Sequence, residues 1–339
     1  MCVKELGCQT AAKAGRMIVS IVRLKPPSAT VAQTSSCTTK SRALLPASAK
    51  ARTAHRFVAS VIAFIPILLL TTSAFAAERT QCGSITSKLL PAPSGYCAVL
   101  PPGFDEHPTK RYPVLYFLHG LGGDQTFLVS SGAWNVIADG WQKKTLEEFV
   151  VITPAAGRSF YINSKSGRSH YEDFFIREFI PQMEKLFHLS RVRSGRAIAG
   201  VSMGGYGALR FAFKYPQMFS AVAVHMPALL EELPRGSANA GLNSFLGNAF
   251  GDPIDEAFWK ANSPFVYARA ANLHGMKIYA DCGDHDDYGF DAGTQELDKL
   301  LIKRGVPHTI HIYPGRHSGE FVAQHIGDSL AFISGAISK

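Results

Sequence analysis

The part of the sequence best suited to chemistry is Gly-Val-Ser-Met-Gly at residues 200–204. It follows an apolar run and precedes a helical pattern of small residues, the context in which G-x-S-x-G forms a sharp strand-to-helix turn. Glycines are needed on both sides of the strained serine, because side chains there would collide with the neighbouring strand or helix. The pattern favours Ser202 as the nucleophile of a hydrolase over the alternative, an ordinary turn between a strand and a helix.

Acyl transfer by a serine also requires a base for the hydroxyl proton. In the α/β-hydrolase arrangement, the histidine follows the serine and the acid in the chain and lies in a loop after the last strand. His317 has this position, in the turn-rich segment 313–319. His285 also follows a strand pattern and is the competing candidate. His308 and His311, at the start of and within the last predicted strand, are interpreted as structural, and His325 falls in the final predicted helix.

A cluster of carboxylates at the end of one strand pattern supplies the candidate acid. Segment 281–287 contains four aspartates, of which Asp281 is still within the apolar run and Asp284 is suited to forming a turn beside a glycine. Asp286 is favoured as the acceptor of the histidine Nδ1 proton, with Asp287 next. A solvated acidic turn is the alternative interpretation of this cluster.

The developing oxyanion needs hydrogen-bond donors, and a glycine-rich segment is placed to provide one of them. His-Gly-Leu-Gly-Gly at residues 119–123 directly follows an apolar strand pattern, as in H-G-G-G loops. We assign the two donors to the backbone N–H groups of Leu121 and Met203. A dinucleotide or phosphate loop is the competing interpretation, but the spacing is not G-x-G-x-x-G and no Gly-Lys-Ser/Thr follows.

Apolar runs alternate with helical patterns along the chain, which indicates an α/β fold with a mostly parallel sheet covered by helices on both faces. The predicted strands cover residues 114–118, 149–153, 197–201, 221–224, 277–282 and 309–313. The predicted helices cover about residues 171–187, 204–214, 293–304 and 320–335. Residues 84–100, with turn residues at 91–95, predict an N-terminal antiparallel hairpin.

The segment 226–264 differs from these repeats because it combines Pro, Gly and Asn with large aromatic residues. It is interpreted as an insertion over the edge of the sheet where active sites of open α/β folds lie. Phe245 and Trp259 are its candidate pocket residues, and a packed connection with aromatic anchors is the alternative.

The net charge of +9 is confined to the N-terminal part of the chain. Residues 1–56 contain ten lysines and arginines but a single acidic residue, and the remainder has equal numbers of basic and acidic residues. The body of the protein therefore gives no electrostatic support for nucleic-acid binding. No spacing of cysteines and histidines is typical of a zinc site.

An apolar run at residues 57–70 follows two arginines and precedes Ala-Phe-Ala at 74–76, which matches the three regions of a secretory signal. We therefore predict a signal peptide over residues 51–76. The mature chain would be one domain over residues 77–339, secreted or periplasmic and without stable membrane insertion.

A membrane anchor retained through residues 57–70 is the alternative, although this run is shorter than the ~20 apolar residues of a membrane span and contains Pro66. Residues 1–50 lack periodicity and apolar content, and they predict a disordered basic leader or a start placed too early. In the mature chain, Cys82 and Cys97 are able to pair across the N-terminal strands in an oxidising compartment.

Together these motifs resemble the esterase family of α/β-hydrolases. This family includes S-formylglutathione hydrolase (esterase D), feruloyl and acetylxylan esterases, tributyrin-type esterases and mycolyltransferases. The resemblance covers about residues 96–332 and depends on four segments: 119–123, the extended serine motif at 199–208, Gly-x-x-Asp at 283–286 and Gly-x-His at 315–317. It implies an α/β-hydrolase domain without a cofactor, in which Ser202, Asp286 and His317 form the triad.

The resemblance implies hydrolysis of a short acyl, acetyl or feruloyl ester, as a small molecule or linked to polysaccharide, through an acyl-enzyme. The same family offers two alternatives: a thioesterase like S-formylglutathione hydrolase, and an acyltransferase of the mycolyltransferase type. Leu121 and its neighbours replace the Cys and Thr that S-formylglutathione hydrolases usually have after the oxyanion glycine, which argues against a glutathione thioester. A binding module with an inactive triad is the non-enzymatic alternative, disfavoured because every catalytic candidate is present.

Overall fold

The computed structural model describes residues 22–23, 79–233 and 238–337, with side chains from residue 244 onwards in the last range. The predicted leader and signal peptide lie outside the described residues, apart from the backbone of residues 22–23. Among the helices of the described part of the chain, none is both long and apolar enough to cross a membrane.

The described strands form one sheet in the order β1-β2-β3-β5-β4-β6-β7-β8-β9. Their bounds are β1 Val22–Arg23, β2 Arg79–Ile85, β3 Ser94–Leu100, β4 Val114–Leu118, β5 Val150–Pro154, β6 Arg196–Val201, β7 Ala221–His225, β8 Lys277–Gly283 and β9 Thr309–Tyr313. Strands β4 to β9 pair in parallel, whereas β1, β2 and β3 pair antiparallel to their neighbours. The α/β class and the N-terminal antiparallel hairpin predicted from the sequence are confirmed.

Helices cover both faces of this sheet. The helices are α1 Phe127–Ser130, α2 Ala133–Gln142, α3 Tyr171–Phe174, α4 Ile180–Leu186, α5 Met203–Lys214, α6 Ala238–Phe250, α7 Glu256–Asn262, α8 Pro264–Ala270, α9 Phe290–Lys303 and α10 Gly319–Ile337. A π-helical turn, Phe175–Phe179, joins α3 to α4. Helices α1, α2 and α10 contribute to one apolar cluster, and α3 to α9 contribute mainly to the other.

The alternation of side chains along the central strands produces these two clusters. On β4, Val114, Tyr116 and Leu118 belong to one cluster. Leu115 and Phe117 point to the opposite face and belong to the other. All five side chains are buried, which explains why the strand is a continuous apolar run rather than an alternating one.

The segment 226–264, interpreted from its sequence as an insertion, is largely helical. It contains α6 and α7, and α8 begins at its last residue, Pro264. Asp255 caps α7 by accepting a hydrogen bond from Phe258 N, and Ser263 caps α8 by accepting one from Phe265 N. These caps define helices of seven residues each, too short for a periodic pattern to show.

Candidate active site

Ser202 lies in a strained turn between β6 and α5. Its φ and ψ are 55° and −116°, a backbone conformation that non-glycine residues rarely adopt. The flanking glycines are required by space: a Cβ at Gly200 would lie 2.4 Å from the carbonyl carbon of Gly204, and a Cβ at Gly204 would lie 2.0 Å from the carbonyl oxygen of Leu118. The two glycines therefore allow the sharp turn that places Ser202 at the carboxyl end of β6.

The structure brings Ser202, His317 and Asp286 into hydrogen-bond contact. His317 Nε2 lies 3.0 Å from Ser202 Oγ, and His317 Nδ1 lies 2.6 Å from Asp286 Oδ2. The Asp286 side chain is 0% exposed and that of His317 is 12% exposed. This is the order of groups by which a base accepts the serine proton and an acid holds the imidazole tautomer. His285, the competing histidine, is exposed, and its backbone N–H donates to the loop that holds His317, residues 314–318, called the histidine loop below.

The carboxylate of Asp286 accepts four hydrogen bonds. Besides His317, its Oδ2 lies 3.6 Å from the Sγ of Cys282, and its Oδ1 accepts from the backbone N–H groups of Tyr288 and Phe290 at 2.9 and 3.3 Å. A buried carboxylate without such partners would be costly, and these four contacts satisfy its hydrogen-bonding capacity. Burial, followed by the Asp286 charge, raises the pKa of the Cys282 thiol, which stays protonated and donates.

The other three aspartates of segment 281–287 have different partners. Asp281 is fully buried and binds a histidine of the neighbouring strand. Asp284 accepts a hydrogen bond of 3.0 Å from the backbone of the histidine loop. Asp287, the second choice as the acid, forms an exposed ion pair with Arg316, and hydrogen bonding from this guanidinium lowers the pKa of its carboxyl. Among the four, it is Asp286 whose carboxylate binds the imidazole of His317.

The loop that holds Asp286, residues 284–289, and the loop that holds His317 are in direct backbone contact. Asp284 N donates to Tyr313 O at 2.8 Å, and His285 N donates to Gly315 O at 3.0 Å. A Cβ at Gly283 would lie 2.4 Å from Gly315 O, so glycine is required for this approach. The two loops after β8 and β9 therefore form one unit that sets the distance between the acid and the base.

Two backbone amides are available to an oxyanion at this site. Leu121 and Met203 both line the pocket at Ser202, and among the hydrogen bonds of the described chain neither amide donates to another group. The loop at residues 119–123 lies against the turn that holds Ser202, since a Cβ at Gly120 would be 3.5 Å from Ser202 Cβ. Met203 is also the first residue of α5, whose N-terminal dipole favours negative charge.

His119 stabilises the glycine-rich loop at residues 119–123 through hydrogen bonds on the side away from the pocket. Its Nε2 accepts a hydrogen bond of 3.0 Å from Ala156 N, so its Nδ1 carries the proton and donates to Gly120 O at 2.8 Å. The Tyr161 hydroxyl donates to His119 O at 2.9 Å. His119 is 1% exposed, and burial lowers the pKa of its imidazole, which keeps the ring neutral. The sequence analysis included His119 in the glycine-rich segment but predicted neither its role nor its partners.

The pocket in front of Ser202 has a volume of about 310 Å³ and is mainly apolar. Phe245 and Trp259, the two pocket residues predicted from the sequence, both line it. The other aromatic residues in its wall are Phe127, Phe160, Tyr206, Phe250, Tyr288 and Phe290. The described residues that line it include no lysine, arginine or carboxylate. Across the described part of the chain, no cluster of His, Cys, Asp and Glu side chains is arranged to hold a metal ion.

Comparison with known proteins identifies the family. The family model described as "Putative esterase" matches residues 87–332. The chain belongs to this esterase family. Esterase Rv1288 and Esterase MT1326 of Mycobacterium tuberculosis are each 32% identical over 232 residues, which are 61% of this chain and 49% of theirs. The chain thus spans about half the length of the curated relatives it matches.

Solved structures of similar fold include proteins described as a ferulic acid esterase and an S-formylglutathione hydrolase. The ferulic acid esterase has a TM-score of 0.67 and 26% identity, and the match covers 78% of this chain and 99% of that one. The hydrolase, from Agrobacterium tumefaciens, has a TM-score of 0.63 and 18% identity, with 78% and 97% covered. The α/β-hydrolase fold and the resemblance to the esterase family are confirmed.

Proposed function

We propose that this esterase-family chain is a serine carboxylesterase that hydrolyses short acyl, acetyl or feruloyl esters through an acyl-enzyme on Ser202. The observation that carries the proposal is the continuous set of hydrogen bonds from Ser202 Oγ through His317 to Asp286, beside two free amides. The match to a ferulic acid esterase structure is consistent with such substrates.

In the proposed reaction, His317 Nε2 takes the hydroxyl proton as Ser202 Oγ attacks the ester carbonyl. The amides of Leu121 and Met203 bind the oxyanion, and the carboxylate of Asp286 stabilises the imidazolium without becoming protonated. His317 then gives its proton to the departing alcohol, which leaves an acyl group on Ser202. A water activated by the same imidazole attacks this ester and releases the acid.

The composition of the pocket supports a neutral, apolar acyl group. Aromatic side chains form most of its wall, and no charged lysine, arginine or carboxylate among the described lining residues would pair with a charged substrate. A glutathione thioester would bring charges that these residues leave unpaired. We also propose that the domain acts outside the cytosol, because a Cys82–Cys97 disulfide persists in oxidising compartments and a secretory signal precedes it in the sequence.

The test is the hydrolysis of p-nitrophenyl acetate and butyrate by the protein and by its Ser202→Ala variant. We expect the variant to lose nearly all turnover and to resist a fluorophosphonate probe that labels the parent protein. Ser318→Ala is the matched control, since this serine also lines the pocket but contacts neither Asp286 nor His317 in the described hydrogen bonds. Parent-like turnover by Ser202→Ala would refute the proposal.

Three further substrates separate the members of this family. Methyl ferulate and acetylated xylan test the polysaccharide-linked esters, and S-formylglutathione tests thioester hydrolysis. Faster turnover of S-formylglutathione than of oxygen esters would replace the carboxylesterase proposal by a thioesterase. Added sugar acceptors test acyl transfer: a hydrolase gives free acid alone, whereas acylated sugar as the main product would indicate a transferase.

A further inference from the structure

A second Ser–His–Asp cluster lies next to the catalytic turn and consists of Ser329, His225 and Asp281. His225 Nδ1 lies 2.9 Å from both carboxylate oxygens of Asp281, and His225 Nε2 lies 2.8 Å from Ser329 Oγ. The side chains of His225 and Asp281 are 0% exposed, and Ser329 is 3% exposed. Because this cluster does not reach solvent, it has no room for a substrate and takes no direct part in the chemistry.

The backbone of His225 contacts the nucleophile directly. His225 is the last residue of β7, and its carbonyl oxygen accepts a hydrogen bond of 2.9 Å from Ser202 N. Ala228 N donates to Ser202 O at 3.0 Å, so segment 225–228 holds the peptides on both sides of Ser202. Between these contacts Met226 has a φ of +43°, and its N–H donates to Asp281 O at 2.7 Å.

The cluster also joins the elements that carry the other two catalytic candidates. Asp281 lies on β8, the strand that leads into the loop of Asp286. Ser329 lies on α10, the helix that begins just after His317. One buried set of hydrogen bonds therefore connects the catalytic turn with the acid strand and with the helix that follows the histidine loop.

Burial of a histidine and a carboxylate is weak evidence for stability, because well-packed apolar residues are often as stable. Here the remaining hydrogen-bonding capacity is used: the Tyr279 hydroxyl donates to Asp281 Oδ2 at 3.0 Å, and Ser329 Oγ lies 3.0 Å from Ile326 O. A fully bonded buried network selects one geometry rather than many. The cost of burying His225 and Asp281 is explained if the protein needs the fixed geometry that their hydrogen bonds impose.

We propose that His225 and Asp281 are positioning residues of the active site. Asp281 fixes the imidazole of His225 and thereby the position of the His225 backbone. The His225 carbonyl oxygen accepts the hydrogen bond from Ser202 N, so this position holds Ser202 Oγ within reach of His317. The inference rests on the proposed role of Ser202 as the nucleophile. It assigns the pair an effect on the rate of acyl-enzyme formation rather than on substrate binding.

The experiment compares His225→Gln, Asp281→Asn, the double variant and Ser329→Ala, with p-nitrophenyl butyrate as substrate. Fluorophosphonate titration counts the competent sites, and all rates are measured well below the melting temperature of each variant. We expect kcat per titrated site to fall about 10- to 100-fold in His225→Gln and in Asp281→Asn, with KM within about twofold, because a small misplacement of a reacting group costs this much. The double variant should be no worse than either single one, since the two residues act as a unit.

His308→Gln is the matched control, because His308 forms a similar pair with Asp298 at 2.8 Å and has no contact with the triad. It should leave kcat per site unchanged. Parent-like kcat per site in both Asp281→Asn and Ser329→Ala, with only a lower melting temperature, would show that the cluster is structural and would overturn the inference. Ser329→Ala, the mildest change, removes a partner of the His225 imidazole and should also lower kcat per site, so the test remains decisive if the His225 variants do not fold. Ser202→Ala in the same assay tests the proposed function separately.

Discussion

Two adjacent aspartates, Asp286 and Asp287, have different contacts at this site because of their positions in the loop. Asp286 is buried and binds His317, whereas Asp287 faces outwards and pairs with Arg316. The two residues have the same charge and reference pKa, so their different roles come from packing alone. Each can therefore serve as the control for the other.

Asp286→Asn should lower kcat by about 10⁴-fold, because an amide that donates to His317 Nδ1 stabilises the wrong tautomer of the base. Asp287→Asn should change kcat by less than about threefold, since an exposed ion pair contributes little. The measurement is kcat for p-nitrophenyl butyrate per fluorophosphonate-titrated site. Equal losses in the two variants would contradict the assignment of the acid to Asp286.

At the scale of elements, the hydrogen bonds that hold the loop at residues 119–123 depend on the protonation state of His119. Its Nε2 accepts a hydrogen bond and its Nδ1 donates one, and only the neutral imidazole can do both. Burial lowers the pKa of His119 in the folded state, so the unfolded chain binds this proton more readily than the folded one. The stability contributed by the neutral ring is complete above the unfolded pKa, near 6.5, and is lost as the pH falls below it.

His119→Gln should remove this part of the pH dependence, because glutamine has one donor and one acceptor that do not titrate. We expect the free energy of unfolding in urea to fall less steeply between pH 7 and pH 5 in the variant than in the parent protein. His107→Gln is the control, since His107 is exposed and should leave the parent slope unchanged. An unchanged slope in His119→Gln would show that His119 does not carry the effect.

The elements also show which parts of the structure the sequence could predict. The buried strands were predicted to within about one residue at each end, because burial on both faces makes them continuous apolar runs. Helices α7 and α8 were not, because helices of seven residues lack enough turns for a period to emerge. The order of serine, acid and histidine could be predicted because each of the three residues follows one of these strand patterns.

Contacts between distant segments could not be predicted from local patterns. The pairing of His225 with Asp281 depends on which strands become neighbours, and the contact of Tyr161 with His119 depends on the path of a loop with positive φ at Phe160 and Tyr161. These contacts have long sequence separations and no spacing rule. The candidate catalytic residues could therefore be predicted from the sequence, whereas the contacts that support them could not.

The wall supplied by α6 and α7 should set the acyl length that the pocket accepts. Trp259 is 4% exposed and lines the pocket, so Trp259→Leu should enlarge it and move the preferred p-nitrophenyl ester towards longer acyl chains. Trp134→Leu is the matched control, because Trp134 packs in the apolar cluster on the other face of the sheet. A chain-length profile measured on both variants tests this. The same shift in Trp134→Leu would indicate general loosening instead.

At the scale of the whole molecule, the candidate site is built on one part of the sheet. Its three catalytic candidates follow β6, β8 and β9, and their neighbours in space come from β4 and β7. The other end of the sheet contributes none of them, although it carries the disulfide between Cys82 on β2 and Cys97 on β3. Stability and catalysis should therefore be separable at this end of the molecule.

Removal of the disulfide tests this separation. In the chain-entropy model, a bond that closes a loop of 15 residues contributes about 3 kcal/mol, which for a domain of this size corresponds to roughly 6–12 °C in melting temperature. Cys82→Ala/Cys97→Ala should show this decrease, and a reductant should produce it in the parent protein, because the described chain has one other cysteine, Cys282, which is buried and unpaired. Below the melting temperature, kcat per titrated site should match that of the parent. A loss of kcat in the folded double variant would show that the N-terminal hairpin supports the catalytic end of the sheet as well.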